Sequence, residues 1–168
     1  LYILTVHAPL FWYKQNVVPE NSKIFNILSY NVMTWNHEKE RILEVILQQN
    51  ADIALIQEIN KSVSNYVKEQ LLAHSHLRFF SYKKYSALAV ASRYPLEKTN
   101  LEKKFGSAQI VKTITPAGPI NLINVHTPRG LLSYSGHPKE IIKYISAIKL
   151  MEGPLILAGD FNTTSQSD

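Results

Sequence analysis

Residues 153–162, Gly-Pro-Leu-Ile-Leu-Ala-Gly-Asp-Phe-Asn, limit what this chain can fold into more than any other stretch. Leu155 to Ala158 form an apolar run bounded by Gly-Pro and Gly-Asp. Such a run suits a short strand covered on both faces. Asp160 and Asn162 then fall where the strand leaves its sheet, the place where α/β proteins carry their chemistry. Taken alone, Gly-Asp-x-Asn is equally well a plain turn, because Gly, Asp and Asn are the commonest turn residues. The rest of the chain decides between the two.

From Ile24 to Tyr30 the sequence reads as a first strand, with Asn31 directly after it. Asn36 is placed to cap a helix, with Glu38 and Glu40 in its first turn, where negative charge suits the helix dipole. Ile42, Leu43, Val45, Ile46 and Leu47 recur at helical spacing through Gln49. Asp52–Gln57 is a second buried strand, and Glu58 comes as it ends. Asn60 can cap a second helix whose apolar stripe is Val63, Tyr66, Val67 and Leu71. Strand, helix, strand, helix is the order of a layered α/β domain.

The middle changes character. Leu77–Tyr82, Ala87–Ser92, Gln109–Thr115 and Ile120–Val125 all read as strands. Between them lie turn and loop signals at Lys83-Lys84, Tyr94-Pro95 and Thr115 to Pro119. Strands without intervening helices pair antiparallel, so a mixed sheet is expected. Pro138 then opens a third helix with a stripe of Ile141, Ile142, Ile145 and Ile148, which leads into Leu155–Ala158.

At 168 residues the chain suits one domain, with 45% hydrophobic and 18% charged residues, an ordinary globular balance. A net charge of +5 favours an anionic partner such as a phosphate ester, a nucleic acid or an acidic membrane surface. The absence of cysteine excludes a thiol nucleophile, a cysteine zinc site and a disulfide. Leu1 to Val18 is apolar and aromatic, but Thr5, His7 and Pro9 interrupt it. It is also shorter than the about 20 apolar residues that a membrane span needs. It reads as the tail of an upstream membrane segment or as an edge of the domain, with packing on the domain preferred. That leaves residues 1–23 as an apolar segment and linker ahead of a domain at 24–168. The location is either beside a membrane through an upstream segment or cytoplasmic.

Four strands end in residues suited to phosphate chemistry: Asn31, Glu58, His126, and Asp160 with Asn162. A carboxylate and amide oxygens suit a hard cation such as magnesium. A second carboxylate can take a proton from water, and a histidine can bond a phosphoryl oxygen or move a proton. Arg129 is a candidate phosphate clamp, although a solvated loop arginine is the plainer reading. Lys83, Lys84, Lys103 and Lys104 read as solvated faces. His37, His74, His76 and His137 show no metal-ligand spacing, and Met33 and Trp35 read as packing beneath the site.

Ser-Tyr-Asn-Val (29–32), Ile-Gln-Glu (56–58), Leu-Ala-Val-Ala-Ser-Arg (88–93), Asn-Val-His-Thr-Pro (124–128) and Gly-Asp-Phe-Asn (159–162) together resemble the endonuclease/exonuclease/phosphatase superfamily. That group includes deoxyribonucleases, abasic-site endonucleases, neutral sphingomyelinases and inositol polyphosphate phosphatases. The apolar stretch ahead of the motifs is most similar to bacterial, membrane-associated members. The resemblance implies a four-layer α/β sandwich of two mixed sheets with outer helices. By motif, Glu58 corresponds to the main metal ligand and Asn31 to a metal-site or phosphate-contacting amide. Asp160 corresponds to the carboxylate that aligns or deprotonates water, Asn162 to the amide that orients it, and His126 to a phosphoryl contact. The implied reaction is in-line attack of water on phosphorus with magnesium, or manganese in its place. The substrate would be a phosphodiester in a nucleic acid or a phospholipid, with a phosphomonoester also open. Oligomeric state is unknown from the sequence.

The superfamily ends in an Asp-His pair on a later strand, and Ser167-Asp168 does not supply it. The second sheet is therefore expected to be incomplete in this chain, as in a fragment of a longer enzyme, the preferred reading, or in a chain whose sheet a partner completes. The alternative is a non-catalytic member that binds a phosphoryl ligand or a protein through the same pocket.

Overall fold

Side-chain alternation along each strand decides which layer every residue enters. The computed structural model describes residues 25–103, 105, 108–127, 142–146 and 148–162. Eight strands and two complete helices lie within them: β1 (Ile27–Asn31), α1 (Lys39–Gln48), β2 (Ile53–Gln57), α2 (Lys61–His74), β3 (Phe79–Lys83), β4 (Leu88–Ser92), β5 (Leu96–Lys98), β6 (Ala108–Thr115), β7 (Gly118–His126) and β8 (Leu155–Asp160). They make two four-stranded sheets, ordered β1-β2-β4-β3 and β5-β6-β7-β8.

Both sheets are mixed. In the first, β1 and β2 run parallel while β4 pairs antiparallel with both β2 and β3. In the second, β7 and β8 run parallel while β5–β6 and β6–β7 are antiparallel. The parallel pairs have their C-terminal ends at one end of the molecule, and Asn31, Glu58, His126, Asp160 and Asn162 sit there.

Three apolar layers separate the elements. Ile53 and Leu55 of β2 meet Val111, Leu122 and Ile156 between the two sheets. The alternate residues Ala54 and Ile56 face outward and pack against Ile42 and Ile46 of α1 and Val63, Val67 and Leu71 of α2. On the far side, Ile110, Ile123 and Val125 pack against Tyr144, with Ile148 and Met151 beside it. Helices, sheet, sheet and a helical segment form the four-layer α/β sandwich. Burial on both faces explains why β2 and β4 read as unbroken apolar runs.

Three local expectations need correction. α1 begins at Lys39 after Glu38, and no side chain caps it. Asn36 instead accepts the Glu38 N–H at 2.9 Å, an Asx turn ahead of the helix. The Asn60 cap of α2 stands as read, with its side chain accepting from Val63 N–H at 3.0 Å. In the third helix Pro138 and Ile141 lie outside the described residues, and residues 142–146 are helical. Its buried face is Tyr144 with Ile148, while Ile142 and Ile145 are exposed. Both stripes repeat at helical spacing, and the one with the larger ring goes inward. The three-residue strand β5 was not anticipated, because Leu96 after Pro95 is its single apolar residue. Among the described residues no helix is long and apolar enough to cross a membrane.

Candidate active site

β1 and β2 deliver Asn31 and Glu58 from one sheet, and β7 and β8 deliver His126 and Asp160 from the other. Parallel pairing sets Asn31 beside Gln57 and His126 beside Asp160. The Asn31 amide nitrogen bridges two acids, donating to Glu58 Oε1 at 2.9 Å and to Asp160 Oδ2 at 2.7 Å. His126 Nε2 lies 3.2 Å from the same Glu58 oxygen. That nitrogen is buried and has no aligned hydrogen-bond partner. One ligand atom each from Glu58, His126 and Asp160 lie within 4.8 Å of one another.

The backbone around these groups is bent to fit. Glu58, at φ +56°, and Met33, at φ +65°, both occupy the left-handed region, which non-glycine residues rarely adopt. Asn162 joins them at φ +47°, a conformation asparagine tolerates better. Such outliers persist where surrounding bonds over-determine the geometry, and here they do. Thr34 donates its backbone N–H and its hydroxyl to Glu58 Oε2 at 3.1 and 3.2 Å. Asn31 Oδ1 accepts the Met33 N–H at 2.9 Å, and Asn60 donates to Thr34 O at 3.2 Å. On the other sheet, Asn162 N–H donates to Asp160 Oδ1 at 2.8 Å, and Thr127 N–H to Asp160 O at 2.9 Å. The Asn162 side-chain amide donates to Thr127 O, and the Thr127 hydroxyl to Phe161 O.

Burial pushes the Glu58 carboxyl up, but hydrogen bonds from Asn31 and Thr34 and the nearby His126 outweigh it. The net effect holds the carboxyl below its ordinary range, so Glu58 is anionic at neutral pH. An anionic carboxylate, a second carboxylate and an imidazole form a donor set suited to a divalent cation.

Asn31, Glu58, His126, Asp160 and Asn162 are thus brought together, and Arg129 lies outside the described residues. Met33 and Trp35 do not pack beneath the site: they are 53% and 80% exposed. After β1 the chain turns, with Asn36 N–H bonded to Met33 O at 2.8 Å, and the turn leaves both side chains exposed. Lys83 is not a solvated face either, because its ammonium donates to Ala108 O at 2.6 Å. Lys84 is exposed as expected; Lys104 and the Lys103 side chain lie outside the described residues. Of the remaining histidines, His37 and His74 are exposed, His76 contacts Ala51 O at 2.7 Å, and His137 lies outside the described residues. Sequence reasoning gave no role to Thr34, which carries no motif, or to Thr127, which lies within the Asn-Val-His-Thr-Pro motif. Their signal was position alone, each within three residues of a strand-end candidate.

The sequence profile of the endonuclease/exonuclease/phosphatase family matches residues 25–168. No curated protein sequence matches the chain. Among solved structures, SmcL superposes with a TM-score of 0.65 at 16% identity, over 84% of this chain and 65% of that one. Truncated Caenorhabditis elegans TDP2 gives 0.63 at 14% identity, over 86% and 64%. Danio rerio TDP2 complexed with a single-strand DNA product gives 0.60 at 15% identity, over 85% and 62%. The chain therefore spans less than two thirds of the length of these structures, and the likeness is one of fold.

Proposed function

The chain belongs to the endonuclease/exonuclease/phosphatase family, and on that premise we propose that it acts as a metal-dependent phosphoesterase that hydrolyses a phosphodiester. The observation that carries the reading is the convergence of Glu58, His126 and Asp160 within 4.8 Å at the shared end of two sheets. The donor set fits a divalent ion, because two carboxylates face an imidazole whose buried Nε2 has no aligned hydrogen-bond partner. Oxygen donors favour magnesium, and the imidazole admits manganese. When bound, the ion neutralises charge on the phosphoryl oxygens and polarises the phosphorus for attack.

The chain's own groups then have distinct parts. Glu58 is the principal ligand, held by Thr34 and Asn31. Asn31 spaces Glu58 from Asp160. Asp160, oriented by Asn162 N–H, aligns the attacking water and accepts its proton. The water oxygen bonds to phosphorus as the bond to the leaving oxygen breaks. His126 presents its Nε2 to the ion beside Glu58, and Asn162 orients the water and the phosphate. A phosphodiester of a nucleic acid or a phospholipid matches the net positive charge. The DNA product bound by one structural neighbour favours the nucleic acid.

Hydrolysis of a short oligonucleotide, a phosphatidylcholine and a phosphomonoester, each with magnesium and with EDTA, tests the reading. The expected result is magnesium-dependent turnover of a diester that Asp160→Asn lowers by about 10²-fold or more. Turnover indifferent to both EDTA and the substitution would refute it.

A further inference from the structure

The layer between the two sheets changes chemistry along its length. Its inward positions run Ile53, Leu55, Gln57 on β2 and Ile120, Leu122, Asn124, His126 on β7. The same holds for Ile27, Ser29, Asn31 on β1 and Ile156, Ala158, Asp160 on β8. Apolar pairs fill the far end and ionisable groups the site end. Between them lies one layer of buried amides that the reaction above does not use.

Asn124 is 0% exposed and Gln57 1% exposed. Gln57 Nε2 donates across the sandwich to Asn124 Oδ1 at 2.7 Å. Asn124 Nδ2 reaches back to the main chain of the opposite sheet, donating to Ile56 O at 3.1 Å and to Ala89 O at 3.0 Å. Ile56 and Ala89 are partners across β2 and β4. A single side chain from β7 therefore grips two strands of the first sheet just where β2 ends. Gln57 immediately precedes Glu58, and Asn124 shares its face of β7 with His126 two residues on. Directional bonds in a dry layer fix separation and register more tightly than apolar contact does.

We propose that the Gln57–Asn124 pair is a positioning device that sets the distance and orientation of His126 relative to Glu58, and so shapes the ion site from outside it. This rests on the metal-dependent reading only for its consequence in catalysis; the placement of His126 stands on the metal-free geometry.

The test uses Gln57→Met and Asn124→Ser, with Thr113→Val as the control. Thr113 is equally buried and lies 3.4 Å from Ser92 across the two sheets, at the opposite end of the layer beside Ile53. Gln57→Met keeps an unbranched side chain of similar size, so it reports even if Asn124→Ser fails to fold. Two readouts are taken. The ¹⁵N signals of the His126 ring are followed without metal, assigned against His126→Gln. Mn²⁺ affinity is followed by water-proton relaxation.

Both amide variants are expected to shift the His126 ring signals and to weaken Mn²⁺ binding by about 10- to 100-fold, the usual effect of losing a group that orients a ligand. Thr113→Val should lower thermal stability while leaving both readouts unchanged. Unmoved ring signals in the folded amide variants would overturn the proposal, as would an equal shift in Thr113→Val. If the unsubstituted protein binds no Mn²⁺ and hydrolyses nothing, the phosphoesterase reading fails, and the ring signals alone still decide the positioning role.

Discussion

At the residue scale, Glu58 combines a left-handed backbone, hydrogen bonds from Asn31 and Thr34, and a depressed carboxyl pKa. Those bonds come from the Asn31 and Thr34 side chains and the Thr34 backbone, and His126 Nε2 lies 3.2 Å from the oxygen that Asn31 bonds. The geometry works only while the carboxylate is ionised. A carboxyl held below its ordinary value of 4.5 in the folded state stabilises the protein above that pH. The contribution is lost as pH falls through the lower, folded value. In EDTA, stability between pH 7 and 3 should therefore fall less steeply below pH 4.5 for Glu58→Gln than for the unsubstituted protein. Chemical denaturation at half-unit pH steps measures it. Parallel curves through that window would mean that the hydrogen bonds do not favour the charged form.

At the element scale, the parallel pairs β1–β2 and β7–β8 carry the site, and one glycine permits the second pair. Gly159 lies at φ +144°, and a Cβ there would sit 2.0 Å from Val125 O. No side-chain adjustment relieves a clash with backbone. Gly159→Ala must open the β7–β8 pairing at the step that holds His126 beside Asp160. The cost should be at least about 2 kcal/mol, or roughly 4–8 °C in melting midpoint for a domain of this size. An unchanged midpoint would show that β8 does not pass so close to β7. The elements themselves were largely legible, because double-sided burial makes β2 and β4 unbroken apolar runs, and β8, buried only at Ile156, is still an apolar run that Gly and Pro bound. Where two patterns competed, reading failed. The third helix has two stripes at helical spacing, and only packing chose Tyr144 over Ile145. The strand β5 has too few apolar residues to announce itself.

At the scale of the whole molecule, the site is a seam between two sheets, which is why only part of it was legible. Strand ends at Asn31, Glu58, His126 and Asp160 can be read one by one. That they meet depends on how the sheets face each other, a non-local fact carried by the alternation of inward positions. The amides Gln57 and Asn124 stand in that alternation but read locally as ordinary strand residues. Trp35 was misplaced for a related reason: an aromatic beside a site suits a core in sequence, and only the turn after β1 shows that it faces solvent. The seam also makes a global prediction. An ion held by Glu58 from one sheet and by Asp160 and His126 from the other would bind the native state and not the unfolded chain. At a concentration 100-fold above its dissociation constant it would add about 2.7 kcal/mol, and so raise the melting midpoint by roughly 5–10 °C. Glu58→Gln with Asp160→Asn should abolish that rise while keeping the fold, since each amide matches its acid in shape. Calcium and magnesium at equal ionic strength, each against EDTA, separate ion binding from general salt effects on exposed charges. A rise of the same size in the double variant would place the ion elsewhere on the molecule. No rise in the unsubstituted protein would mean that the two sheets meet without sharing a cation, and that Asn31 alone, bridging Glu58 and Asp160, holds the acids together.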